Sequence, residues 1–209
     1  MNSNLAATKT RRATGAMFFA FYGSGWLVWW CIESFGMSLL ILSTIAVVGL
    51  AIGLTAFRQY RNNKWSLVGA ENSRDTKKTE RIFNLVNAAQ GVSIFVAVLI
   101  LANTGHPEWI RVAIILIVGI HFLPLAALFR NRWHYASGGA LILLAVLYPF
   151  LTKAGPLNPV GLFGAGMILW MSAVISLRRI SLLGARGPTA DQGVSAQFDA
   201  APAAGSKLS

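Results

Sequence analysis

Six long apolar runs, at 15–32, 37–57, 82–102, 109–129, 135–151 and 160–177, leave this chain very few ways to fold. A helix rises about 1.5 Å per residue, so roughly 20 residues cross a hydrocarbon core of about 30 Å. The runs at 15–32, 135–151 and 160–177 are slightly short and finish the crossing on aromatic or polar flanks. Strict apolar–polar alternation, the mark of a transmembrane β-barrel, is absent. Charged residues make up 12% of the chain, where a soluble domain carries about a quarter. The expected fold is therefore an all-α polytopic bundle of about six transmembrane helices over 15–178, arranged as three hairpins. A short segment, 1–14, precedes the bundle. A tail, 179–209, rich in Ala, Gly, Ser and Pro, is expected to be disordered. Lys9, Arg11 and Arg12 before the first run resemble a secretory signal, but no small-x-small cleavage site ends that run and a second apolar run follows at once. The first run is read as a retained span.

The net charge of +11 does not imply nucleic acid, because the bases sit in clusters between apolar runs. With the N-terminus inside, all of the 18 basic residues except Arg111 and Lys153 fall in inner segments. Four separate segments agree with the positive-inside bias, which predicts both termini in the cytoplasm. Trp26, Trp29, Trp30 and Trp109 fall at outer span ends, and Trp65 and Trp133 in inner loops, where an indole N–H stays wet. The inner loop 58–81 is strongly basic and is expected to lie against anionic lipid headgroups.

The acids are Glu33, Glu71, Asp75, Glu80, Glu108, Asp191 and Asp199, none in the middle of a span. That weighs against ion-coupled transport, which keeps a carboxylate near the midplane, and against carboxylate hydrolases. No GxSxG, HExxH, CxxC or phosphate loop is present, so no catalytic residue is assigned. Cys31 is the sole cysteine, which rules out an internal disulfide, and Trp30 before it excludes a lipoprotein cleavage site. His106 and Glu108 offer two metal ligands where zinc wants three or four. His106, His121 and His134 lie at three different depths, which argues against a bis-histidine haem. No metal and no cofactor is expected.

One ionisable residue lies deep in a span: His121, near the centre of the fourth. Pro124 cannot donate to the carbonyl of Ile120, which predicts a kink and a free acceptor beside His121. On the third span Asn84, Asn87 and Gly91 share one side of the helix, with Gln90 adjoining. The candidate intramembrane polar site is therefore Asn84, Asn87, Gln90, His121 and Pro124, with Tyr22 and Ser24 as further candidates. The same residues can equally serve as interhelical glue. Gly49 with Gly53, Gly161 with Ala165, and the pair Gly23 and Gly25 are spaced for close helix packing, within the chain rather than between chains.

The stretch Val118-Gly119-Ile120-His121-Phe122-Leu123-Pro124-Leu125-Ala126, then Leu128-Phe129-Arg130, Tyr135-Ala136-Ser137-Gly138 and the Gly/Trp-rich 164–170, resembles a pattern in small multi-pass membrane proteins of uncharacterised bacterial families. The resemblance covers roughly 80–178 and omits the first two spans. It implies a bacterial inner membrane and no particular activity. The functional expectation is a non-enzymatic membrane protein, either a small-solute permease or sensor built on the polar cluster, or an accessory or scaffold subunit of a membrane complex. Its partners are the bilayer and a homo-oligomeric or complex partner, with no nucleic acid. A lipid-modifying enzyme is disfavoured.

Overall fold

A computed structural model describes residues 3–64, 74–129 and 132–185. The centre of the basic loop, with Trp65, and the tail beyond Ala185 lie outside the described residues. The described chain is helical: α1 (Ser3–Phe35), α2 (Leu39–Lys64), α3 (Arg74–Asn103), α4 (Ile110–Phe129), α5 (Arg132–Leu151) and α6 (Val160–Ala185). Among the described residues, six helices are long and apolar enough to cross a bilayer, as expected. The protein is a multi-pass membrane protein. Its helices outrun the apolar runs at the basic end: α2 continues to Lys64 and α6 to Ala185.

The outer connections are short because glycines end the helices. Gly36 (φ 68°) donates its N–H to the Ile32 carbonyl at 3.0 Å, closing α1. Gly105 (φ 79°) turns the chain after α3, where the His106 N–H reaches the Leu101 carbonyl at 2.9 Å. Left-handed backbone of this kind suits glycine and satisfies carbonyls a helix end leaves open.

The hairpins do not pack side by side as equals. α1 lies against both α2 and α6, α4 lies against α5, and α6 bridges the two groups. α3 has one substantial helix neighbour among the described residues, α4. Lipid tails are as apolar as leucine, so helices associate here through close van der Waals fit rather than hydrophobic expulsion. The core accordingly carries small residues with no exposed surface: Ala13 and Ala16 on α1, Ala56 on α2, Ala165 and Ala173 on α6. Ile115, Leu141, Leu162, Leu169 and Ile180 fill the space between them.

Two glycine crossings set the closest approaches. A Cβ on Gly138 of α5 would stand 2.7 Å from the Gly119 carbonyl oxygen of α4, and one on Gly119 would stand 3.1 Å from that of Gly138. Likewise Gly23 of α1 and Gly166 of α6 face each other's carbonyls at 3.1 and 3.0 Å. Beside the second crossing, the Trp170 indole N–H reaches the Ala20 carbonyl and Ser24 Oγ, each at 3.3 Å, so a large aromatic sits at mid-membrane with its donor satisfied. At the outer face Arg111 of α4 pairs with Glu33 of α1 at 2.8 Å and donates to the Leu157 carbonyl at 3.1 Å, tying α1 and α4 to the α5–α6 turn.

Candidate functional site

The structure divides the sequence-predicted polar residues between two surfaces. His121 is half-buried on the α3 side of α4, where its imidazole lies near the backbone of Val86. Counted from the centre of each span, His121 lies about 5 Å toward the basic end, level with Val86 and Asn87. Gln90 is half-buried. Asn84 and Asn87 are exposed, on the face that α3 turns to the bilayer. No hydrogen bond among the described residues joins Asn84, Asn87 or Gln90 to His121. Pro124 is exposed and α4 runs through it without a break.

Two other asparagines behave differently. Asn63 and Asn103 each turn the amide back on their own helix and donate to the carbonyl four residues earlier, at 2.7 Å. Among the described residues, Asn84 and Asn87 have no such bond. None of the most apolar stretch of α3 is buried inside the bundle. Elsewhere, no buried side-chain polar atom among the described residues lacks a partner. Asn84 and Asn87 therefore present amides with no hydrogen bond among the described residues on the outer face of α3. Asn87 stands about 6 Å from the span centre, inside the hydrocarbon.

A second feature lies on the other side of the molecule. An open groove of about 300 Å³ runs between α1, α5 and α6, lined by Phe19, Trp133, His134, Met167, Ile168 and Met171 among others. His134 stacks on Phe122 (6.2 Å, 7°) and meets Phe19 edge-on at 5.6 Å. Ser137 Oγ and Ser172 Oγ approach to 2.6 Å, while each also lies within reach of its own helix carbonyl, of Trp133 at 3.0 Å and of Ile168 at 2.7 Å. Two hydroxyl protons serve three contacts, all internal. The Ser137 proton therefore goes to a carbonyl or to Ser172, an arrangement that cross-links α5 to α6 and does not activate a nucleophile.

Of the glycines singled out for packing, Gly49 lies tightly against Ser24 of α1, Gly161 faces the Tyr148 ring, and Gly53 and Gly25 face open space. Tyr22 is exposed, and Ser24 donates to the Ala20 carbonyl at 2.7 Å. His106 and Glu108 contact each other at 3.2 Å, and no cluster able to hold a metal exists among the described residues. Sequence reasoning marked Gly23 for close packing but not its partner Gly166, and did not single out the Gly119–Gly138 crossing, the Ser137–Ser172 pair or the Arg111–Glu33 bridge. Each joins residues far apart in the chain. The one available signal was the coincidence of Glu33 and Arg111 at outer span ends.

No curated protein and no solved structure matches this chain. A family does, over residues 67–178, which is more than half of the chain and takes in α3 to α6 while leaving α1 and α2 outside. The chain belongs to that family, described as a family of unknown function (DUF7010).

Proposed function

We propose that this protein is a non-enzymatic accessory or scaffold subunit of a membrane complex, in a bacterial inner membrane with both termini cytoplasmic, and that it docks through α3. The observation carrying this reading is Asn87, exposed at hydrocarbon depth with no hydrogen bond among the described residues. An amide without a partner costs about 4–8 kcal/mol on moving from water to cyclohexane. In a real bilayer the undocked side chain finds substitutes, so an interhelical bond returns only about 0.6 kcal/mol on average. The face is therefore built for modest, specific association. An amide both donates and accepts, so it pairs with an amide or hydroxyl on another helix, α3 of a second copy included. Gly91 on the same side adds open space for a close backbone approach.

The test is cross-linking in native membranes. Asn87→Cys is expected to give an adduct of defined mass, whereas Leu143→Cys, on the exposed face of α5, gives none. Asn87→Leu is expected to weaken the association about fivefold, corresponding to roughly 1 kcal/mol. Equal, background-level cross-linking at both positions would sink the reading.

A second reading, a small-solute permease or sensor at the α3–α4 seam, draws on the half-buried His121 against Val86. In that case His121→Leu abolishes the phenotype while α3 cross-linking is unchanged. In the docking reading His121→Leu only loosens the hairpin.

A further inference from the structure

The lining of the groove between α1, α5 and α6 stops at Phe19 on α1 and Ser176 on α6, and two arginines stand beyond it toward the basic end. Arg179 lies two helical turns beyond Ser172 on α6, and Arg12 two turns before Phe19 on α1. Counted from the span centres, both stand about 12–14 Å out, at the edge of the hydrocarbon. The Arg179 guanidinium lies 4.3 Å over the ring of Trp133, which lines the groove mouth. Arg12 and Arg179 are both half-buried and within electrostatic reach of each other. Neither has a carboxylate partner among the described residues. Two like charges thus stand near each other at the basic end of the groove, with no carboxylate paired to either among the described residues. Below them the wall is apolar, since the serine hydroxyls are spent on each other and on helix carbonyls. On α6 the lining runs from Met167 to Ser176, about 14 Å and close to one leaflet of hydrocarbon, with Arg179 one turn beyond it.

We propose that this groove binds one anionic phospholipid of the leaflet at the basic end, its phosphate between Arg12 and Arg179 and one acyl chain along α5 and α6. Arginine recognises phosphate through a planar fork, and a basic recess between transmembrane helices is a headgroup site. Stacking on Trp133 holds the Arg179 fork in place at the headgroup level. The neighbouring Arg11 and Arg178 are exposed, and Arg178 lines a separate hollow between α2 and α6. They carry the same charge outside the groove, which makes them the control.

The experiment uses the full chain in nanodiscs of phosphatidylcholine with a minor fraction of phosphatidylglycerol, and reads the lipids retained on extraction by native mass spectrometry. The wild type is expected to retain phosphatidylglycerol over phosphatidylcholine by roughly ten- to thirtyfold. Arg12→Gln with Arg179→Gln removes that preference, and Arg11→Gln with Arg178→Gln keeps most of it. If the two pairs lose it equally, the attraction belongs to the general basic surface and the site does not exist. Phosphatidylglycerol carrying a photoreactive acyl chain is expected to label 167–175 of α6 in the unaltered protein. Labelling spread evenly over α2 and α3 overturns the proposal without requiring any variant to fold. Inorganic phosphate alone, at millimolar concentration, is expected to displace no lipid. If it does, the site reads free phosphate and not a lipid.

Discussion

At the scale of single residues, the bundle depends on which glycines meet a backbone. Gly138 meets the Gly119 carbonyl and Phe122 Cβ, neither of which can swing aside, whereas Gly139 beside it faces open space. Gly138→Ala is expected to cost about 1–3 kcal/mol of bundle stability through overpacking. Gly139→Ala is expected to be neutral or slightly stabilising, since alanine favours a helix by up to about 1 kcal/mol. Unfolding in mixed micelles distinguishes them. The sequence shows both as glycines in one apolar run, and GxxxG spacing does not separate them. Gly49 and Gly53 make the same point, one against Ser24 and the other facing nothing.

At the scale of elements, the helices differ in how much protein surrounds them. α1 and α6 share a glycine crossing and the Trp170 anchor, while α3 leans on α4 and turns Asn84 and Asn87 outward. That difference is why α3 is the helix we propose for docking, with α1 and α6 as the frame behind it. The frame is latched at the outer face, where Glu33 accepts from Arg111 and from the Trp29 indole at 3.2 Å, and Arg111 lies 5.6 Å from the Trp29 ring centroid. Arg111 is only 16% exposed, so its pairing is worth more than a free surface pair, and Glu33 at 36% is partly screened. Arg111→Gln is expected to destabilise by about 1–2 kcal/mol, and adding Glu33→Gln should cost little more, because the two act as one unit. A double-mutant cycle on thermal stability in detergent checks this. Full additivity would mean that the bridge contributes nothing.

At the scale of the molecule, bases collect at one end, among them Lys9, Arg11, Arg12, Arg58, Arg61, Arg81, Arg132, Arg178 and Arg179, while Arg111 and Lys153 lie at the other. The positive-inside bias predicts that the basic end faces the cytoplasm. In intact cells Lys153→Cys is expected to react with an impermeant maleimide, and Arg178→Cys only after lysis. Buried Cys31 keeps the background low. The reverse pattern would invert the topology and move the proposed lipid site to the other leaflet.

Span number and the charge asymmetry were legible in the sequence, because each depends on local composition: about twenty apolar residues cross a bilayer whatever their neighbours. Which helix packs on which was not, because in a bilayer every apolar face is already at home. Only shape and scarce hydrogen bonds choose among partners there. The tertiary structure alone brought Gly23 to Gly166, Gly119 to Gly138, Ser137 to Ser172 and Arg12 to Arg179, and left Asn87 outside. The physical reason is that such fits form between backbones distant in the chain, and no local pattern of residue types encodes them.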